Sequence, residues 1–424
     1  MNRNKLESAL MRQCEKLFPE VVDFTREMVR AYSVLGNESE ALAAVERRLQ
    51  SLDLPVLKVP MDQEQLSASP HFAPVEWDYE DKYNLACQLN KGAPGKSLVL
   101  NGHLDVVPAD PFDMWTRAPN DPWEEDGWLY GRGAGDMQSG VAAMVYAVHA
   151  INAIGYRVTS PLNIHMVIEE ECSGNGALAC LQHGYTGDFV LIPEPFGPNI
   201  YSGQIGVLWF KITVRGKPAH VLATSEGSNA IESMWQLVPF LKKLETQLNA
   251  ESRVPPYDEV DHPYNLNIGK FAGGNWASSV PAHAELEARI GFPHAMPVDE
   301  IIDRVRQCVT DAGNELPAFR DAPPVVEFFG LRSEGHLIDL EHPGIECLAD
   351  CHREVAGDEI GHYLSTCTTD LRAFHVHDGT EGTCYGPVAN NIHGVDECVN
   401  LESVLLTLKT YAMFISRWCD IEKL

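Results

Sequence analysis

The spacing of hydrophobic residues in the first half of the chain alternates between two patterns. Short apolar runs typical of buried strands occur at residues 83–87, 98–100, 163–168 and 189–192. Apolar residues at helical spacing predict helices at residues 6–32, 39–52, 140–154 and 176–183. Residues 108–128, which include three tryptophans, are expected to form a loop. Alternating strands and helices predict an α/β fold with a mostly parallel central sheet covered by helices.

The pattern changes after residue 206. Strands are predicted at residues 207–214, 265–271, 283–290 and 325–329, and helices at 229–250 and 298–312. This order of strand, helix, strand, strand, helix and strand predicts an inserted α+β domain of ferredoxin-like character. The first pattern then resumes and ends in a helix at 401–418. The first domain is therefore expected to be discontinuous, over 1–206 and 331–424, with 207–330 as the inserted domain.

Composition narrows the class of protein. Of the 424 residues, 45% are hydrophobic and 22% charged, as in ordinary globular proteins. No apolar run is long enough to cross a membrane, and the polar first residues lack the apolar core of a signal peptide. Eleven cysteines without paired spacing predict neither a disulfide framework nor a thiolate zinc site. These features together favour the cytoplasm.

The chain is strongly acidic, with a formal net charge of −28. Nucleic acids and anionic membrane surfaces would be repelled by this charge. We therefore expect neither as a partner, whereas bound cations are favoured.

Candidate chemistry begins where the strand at 98–100 ends. His103 could bind a metal through one ring nitrogen, while Asp105 accepts the other ring N–H and fixes the tautomer. Asp136 follows a glycine-rich turn and precedes a predicted helix. Alone, a histidine of this kind is most often a core residue and an aspartate a helix cap. Their combination with the glycine-rich turn favours a metal site.

The segments HLDVVP, from residue 103, and GRGAGDM, from residue 131, resemble the di-zinc aminoacylase and carboxypeptidase superfamily. Acetylornithine deacetylase and succinyl-diaminopimelate desuccinylase are members. The resemblance covers nearly the whole chain and implies a zinc-exopeptidase-like catalytic domain with an inserted lid and dimerisation domain. It also implies that His103 binds one metal ion and that Asp136 bridges two.

Three further segments match the superfamily at its metal ligands and base. In the run Glu169-Glu170-Glu171, the resemblance makes Glu170 the general base and Glu171 a ligand. Glu194, between two prolines, would complete the site of His103, and His393 would join Glu171 at the second metal. Imidazole and carboxylate ligands without thiolate suit zinc, with cobalt or manganese as substitutes. We therefore expect two Zn²⁺ per subunit.

This ligand set predicts a metal-dependent hydrolase. Two metal ions lower the pKa of water and polarise a carbonyl, and Glu170 would move the proton to the leaving amine. The sequence contains no Gly-x-Ser-x-Gly motif, which disfavours a serine hydrolase. The predicted substrate is a small N-acylated amino acid or related amine. The alternatives are a dipeptidase or carboxypeptidase, a deformylase of an N-formyl amine and, in a different class, a non-catalytic metal-binding protein.

The resemblance also implies substrate contacts from the inserted domain. His220 would stabilise the oxyanion across a homodimer, and Arg289 would bind a substrate carboxylate. An ordinary surface position for Arg289 is an equal alternative. Asn229 and Ser278 are the other candidate substrate-binding residues.

Two segments depart from the superfamily pattern. Residues 138–140 read Gln-Ser-Gly where Lys-Gly-Gly is common, and Ser278-Ser279 stands where an asparagine is common. The metal ligands are unchanged, so the departures affect only the prediction of the acyl and amine groups. Asp370 and Arg372 also resemble a superfamily motif, without a predicted contact.

Overall fold

The computed structural model describes residues 3–251 and 253–424. Nine α-helices lie in these residues: α1 Arg3–Ala31, α2 Ser39–Ser51, α3 Gln63–Ser67, α4 Ser139–Ala153, α5 Asn175–Gln182, α6 Ala230–Glu251, α7 Val298–Glu315, α8 Pro343–Ala356 and α9 Leu401–Trp418. The strands within them are β1 Leu57–Pro60, β2 Tyr83–Leu89, β3 Leu98–His103, β4 Trp123–Glu125, β5 Trp128–Tyr130, β6 Tyr156–Val158, β7 Leu162–Val167, β8 Val190–Ile192, β9 Asn199–Gln204, β10 Gly206–Arg215, β11 Leu266–Gly273, β12 His283–Phe292, β13 Val325–Ser333, β14 His336–Leu337, β15 Gly361–Ser365, β16 Gly382–Cys384, β17 Ala389–Asn390, β18 Cys398–Asn400 and β19 Ile421–Lys423.

The central sheet has six strands in the order β1-β2-β7-β3-β8-β16. The pairs of β7 with β3, β3 with β8 and β8 with β16 are parallel, whereas β1 with β2 and β2 with β7 are antiparallel. The predicted mostly parallel sheet is therefore confirmed. Parallel strands end at the same edge of a sheet, so the segments that follow β3, β7 and β8 are brought close together.

Burial explains why these strands read as continuous apolar runs. Every residue of β3 and β7 is buried, as expected where helices cover both faces of a parallel sheet. Helix α4, buried along most of its length, packs against α1 and α9. The small residues of α4 permit this close approach.

A second sheet of four antiparallel strands has the order β11-β12-β10-β13. Together with α6 and α7 it has its own hydrophobic core, formed by residues between 205 and 319. The main core is formed by residues between 10 and 201 and between 338 and 419. Along the chain these elements follow one another as β10, α6, β11, β12, α7 and β13, which is the predicted order of strand, helix, strand, strand, helix and strand.

Two further properties concern the whole of the described chain. None of its described helices is both long enough and apolar enough to cross a membrane. All eleven cysteines have free thiols.

Candidate active site and metal centre

Asp136 lies between two histidines at the carboxyl edge of the central sheet. Its Oδ1 is 3.1 Å from His103 Nε2, and its Oδ2 is 3.4 Å from His393 Nε2. His393 Nε2 is also 3.0 Å from Glu171 Oε1. Ligand atoms of His103, Asp136 and Glu171 all lie within 4.8 Å of one another. The structure thus brings together four of the five predicted metal ligands in direct contacts, with one aspartate oxygen directed to each imidazole.

Glu194, the fifth predicted ligand, is buried just beyond the end of β8. Burial and the negative charge of Asp136 raise the pKa of Glu194 well above its usual range, and the charges of Glu170 and Glu171 act in the same direction. The charged groups that act on Glu194 include His103, Asp136 and Glu171, which form the cluster described above.

Both histidines are surrounded by carboxylates, which favour the protonated form of each imidazole. Burial alone would lower the pKa of His103, but its hydrogen bond to Asp136 and the charges of Asp105 and Glu194 raise it well above the usual value. The charge of Glu171 raises the pKa of His393 to about 11. The cluster therefore concentrates negative charge, and two imidazoles with three carboxylates are a donor set suited to zinc.

Asp105 differs from the prediction in the atom that it uses. The ring Nδ1 of His103 donates to the main-chain carbonyl of Asp105 at 2.9 Å, while the Asp105 carboxylate is 3.7 Å away. The carboxylate instead accepts the main-chain N–H groups of Glu170 and Glu171, at 3.3 and 3.1 Å. Asp105 thus accepts the ring N–H of His103, as predicted, but through its main chain, while its carboxylate holds the glutamate run in place.

Glu170, the predicted base, is bound by an arginine for which the sequence predicted no contact. Arg372 Nη1 donates to Glu170 Oε1 at 3.0 Å, and Arg372 Nη2 donates to the Glu170 main-chain carbonyl at 3.3 Å. Burial raises the pKa of Glu170 to about 8, although the charge of Arg372 opposes this rise. The motif that contains Asp370 and Arg372 was the available signal, but sequence spacing could not identify a partner 202 residues away.

Glu397, to which the sequence analysis assigned no role, binds the loop that contains Asp136. Its Oε1 accepts the main-chain N–H groups of Gly133, Gly135 and Asp136 at 2.9–3.0 Å, and its Oε2 is paired with Arg132. Gly133 has a φ of +84°, which favours glycine and helps these N–H groups to converge on one oxygen. Glu397 therefore fixes the loop of Asp136 to the segment that carries His393. Its acidic position shortly after His393 was the only sequence signal.

Two of the predicted substrate-contacting residues between 207 and 330, His220 and Ser278, lie in neighbouring segments. His220 is exposed, and its Nδ1 accepts the Leu222 N–H at 3.1 Å. The Ser278 carbonyl accepts the Val221 N–H. Within the described part of the chain, no hydrogen bond or ion pair joins His220, Asn229 or Ser278 to the metal cluster.

Asn229 has a structural role that the sequence analysis did not predict. Its Oδ1 accepts the N–H groups of Ile231 and Glu232 at 3.0 and 3.2 Å, so it caps the start of α6. An asparagine at this position stabilises the first helical turn. Its side-chain oxygen is thus already used by the helix, which disfavours the predicted substrate contact.

Arg289 lies on β12 and reaches towards the main domain. Its Nη2 donates to the carbonyl of Thr366 at 3.0 Å, and burial lowers its pKa. Thr368, two residues further along, accepts a hydrogen bond from Arg372 at 3.3 Å. No carboxylate of the described residues pairs with the Arg289 guanidinium, which leaves part of this cation available close to the segment that contacts the base.

Comparison with known proteins identifies similar sequences. The chain is 26% identical over 348 residues to N-formyl-4-amino-5-aminomethyl-2-methylpyrimidine deformylase of Halalkalibacterium halodurans, covering 77% of this chain and 80% of that one. It is 31% identical over 335 residues to succinyl-diaminopimelate desuccinylase of Herminiimonas arsenicoxydans, covering 74% and 82%.

The fold is similar to that of a solved structure. The structure of the dipeptidase Dug1p from Saccharomyces cerevisiae superposes with a TM-score of 0.79 at 14% identity, covering 97% of this chain and 98% of that one. The sequence model of peptidase family M20/M25/M40 matches residues 99–417, which include every predicted metal ligand. The chain therefore belongs to peptidase family M20/M25/M40.

Proposed function

We propose that this protein is a metal-dependent amidohydrolase that removes the acyl group from a small N-acylated amino acid or related amine. The observation that carries the proposal is the buried Glu170 carboxylate beside the cluster of His103, Asp136, Glu171 and His393. A metal-binding protein without activity would have no need of a buried, precisely anchored carboxylate next to its ligands. Membership of a peptidase family supports amide hydrolysis as the reaction class.

Five side chains would hold two zinc ions. His103 and Glu194 would bind one, His393 and Glu171 the other, and Asp136, which contacts both histidines, would be shared between the two. When bound, the ions supply Lewis acidity, which makes water more acidic and an amide carbonyl more electrophilic. Cobalt or manganese would fit the same ligands.

Glu170 carries the proton transfers in this proposal. Its carboxylate accepts a proton from the attacking water and delivers it to the amine nitrogen as the C–N bond breaks. The products are a carboxylic acid and a free amine, and no covalent enzyme intermediate is needed. Asp105 and Arg372 keep Glu170 in place from its main chain and its side chain.

The acyl group and the amine remain open between two candidates. Similarity to desuccinylases supports an N-acyl amino acid, and Arg289 offers a cation for its carboxylate. Similarity to two deformylases supports an N-formyl amine as the second candidate.

The inserted domain, residues 207–330, would act as lid and dimerisation domain, with residues 1–206 and 331–424 forming the catalytic domain. Strand β11 is an edge strand of the second sheet and is largely exposed, so it is available for pairing with another copy. Val221, Leu222 and Trp276 are 52, 90 and 72% exposed beside His220. His220 would then stabilise the oxyanion in the partner subunit's site. Eleven free thiols support a reducing compartment, the cytoplasm.

A substrate panel tests the reaction class. The zinc-loaded protein is incubated with N-acetyl and N-succinyl amino acids, N-formyl amines and dipeptides, and release of free amine is measured. We expect turnover of at least one N-acyl compound, loss of that turnover after exhaustive chelation, and recovery on addition of zinc or cobalt. Glu170→Gln is the matched control against a contaminating hydrolase. Full activity in verified metal-free protein, or in the control variant, would contradict the proposal.

A further inference from the structure

Arg372 is a buried cation with an unusual set of contacts. Its side chain is 3% exposed and reaches both the carboxylate and the main-chain carbonyl of Glu170. Only Oε1 of that carboxylate is held in this way. Glu170 Oε2 forms no hydrogen bond with any described residue and keeps some access to solvent.

We propose that Arg372 is a positioning residue for the base: it fixes one Glu170 oxygen and the adjacent main chain so that the other oxygen is presented to the attacking water. This inference rests on the proposed function, in which Glu170 moves the proton. The inference assigns a different role to each oxygen of the Glu170 carboxylate. Oε1 is a structural anchor, and Oε2 is the proton acceptor.

The surroundings of Arg372 fit the planar, forked shape of a guanidinium. Nη1 also donates to Thr368 Oγ1 at 3.3 Å, and Nη2 lies 3.8 Å from Asp370 Oδ1. A Cβ atom on Gly174 would lie only 2.3 Å from Nη2, so this space is kept free by glycine. A lysine ammonium has no fork and could not make both Glu170 contacts in the same geometry.

Asp370 connects this anchor to the strand of the first metal ligand. Asn101, on β3 and two residues before His103, donates to Asp370 Oδ2 at 3.1 Å. The other oxygen, Asp370 Oδ1, is buried without a hydrogen-bond partner. A buried unsatisfied oxygen is costly for folding, which is the opposite of what an ion pair selected for stability would retain.

A purely stabilising ion pair is the competing explanation, and the chain offers a matched control for it. Arg417 of α9 pairs with Glu7 of α1 at 2.9 Å, with side chains 9 and 11% exposed. No described contact links Arg417 to the metal cluster. Arg417→Lys therefore makes the same chemical change in a comparably buried ion pair with a glutamate.

The experiment is a double-mutant cycle on the zinc-loaded enzyme, with Arg372→Lys, Glu170→Gln and the double variant. We expect Arg372→Lys to lower kcat by about 10- to 100-fold, because displacement of a reacting group by about 1 Å has that order of effect. KM should change by less than about threefold, and zinc content should not change. In the Glu170→Gln background, Arg372→Lys should have almost no further effect, since its role acts through Glu170. Arg417→Lys should leave kcat at the wild-type value.

Several outcomes would overturn the inference. These are a kcat of Arg372→Lys within twofold of wild type, an equal loss in both backgrounds, or a loss explained by missing zinc. A Glu170→Gln variant with full activity would overturn the proposed base and this inference together. A nearly inactive Glu170→Gln with additive losses would overturn only the role of Arg372. Arg372→Met repeats the cycle without the positive charge and separates loss of the fork from loss of charge.

Discussion

Three adjacent glutamates of identical chemistry have three different surroundings in this protein. Glu169 is bound by Trp77, Tyr79 and Ser173, each at 2.8 Å, and so serves as an anchor. Glu170 is held by Arg372, and Glu171 contacts His393. Glu169 is therefore an anchor, whereas the predicted base and the predicted ligand face different partners once the strand has ended.

The roles of the second and third glutamates can be separated by mutation. Glu170→Gln should lower kcat by at least roughly 10²–10⁴-fold, the contribution typical of general acid–base catalysis, and should keep its metal. Glu171→Gln should lose metal affinity, because its carboxylate lies against His393. Steady-state kinetics combined with metal analysis of each purified variant makes the distinction. A Glu170→Gln protein without metal, beside a fully loaded Glu171→Gln protein, would place the base one residue further along.

For individual residues, the sequence identified candidate site residues better than it identified their hydrogen-bond partners. The sequence singled out His103, Asp136, Glu171 and His393 because each stands in a segment that resembles the superfamily, and the structure brings these four residues together. Their orienting partners were not found, since Glu397 and Arg372 lie 261–265 and 202 residues from the groups that they hold. The acceptance of the His103 ring N–H by Asp105 was predicted, but the use of its main-chain carbonyl was not, because the sequence does not distinguish a main-chain from a side-chain acceptor.

Among the elements, the long periodic segments and the apolar strands of the central sheet were predicted, whereas the short strands between residues 123 and 130 were not. Residues 108–128 were expected to be a loop, yet β4 and β5 form a hairpin in which Trp123 stacks on Tyr130 with ring centroids 4.8 Å apart. Strands of three residues are too short to show an alternating pattern. The order of the longer strands and helices along the chain was predictable, because each of these elements has an apolar run long enough to show its pattern.

The start of α6 gives a test at the same scale. Asn229→Ala should lower the free energy of unfolding by about 1 kcal/mol, because two helical N–H groups lose their acceptor. Asn229→Asp keeps an acceptor oxygen and should stay close to wild type in stability. Urea denaturation of both variants measures the effect. An unchanged stability for Asn229→Ala, accompanied by a raised KM, would favour the substrate contact over the cap.

For the whole molecule, the exposed position of His220 has a consequence for assembly. If it acts on the partner subunit's site, His220→Ala and Glu170→Ala should each be nearly inactive alone. After subunit exchange, half of the dimers combine the two variants, and one of their two sites contains neither change. Random pairing therefore predicts roughly a quarter of wild-type activity in the mixture.

This complementation needs an independent measure of exchange. Differently tagged subunits, isolated together after mixing, show how many mixed dimers have formed. Absence of activity in a preparation rich in mixed dimers would mean that His220 acts within its own chain or has no role in the reaction.

The hold of Glu397 on the Asp136 loop also determines when this centre can form during protein synthesis. Translation produces Gly133 and Asp136 more than 260 residues before the carboxylate that fixes them. All four strands of the second sheet leave the ribosome in that interval, so the inserted domain can complete its core first. A nascent chain that ends before His393 contains His103, Asp136, Glu171 and Glu194 but lacks both the last imidazole and the acceptor for the loop. If these residues form the proposed metal centre, the centre can be completed only after His393 and Glu397 have been synthesised, and an incomplete chain that lacks them would have no hydrolase activity.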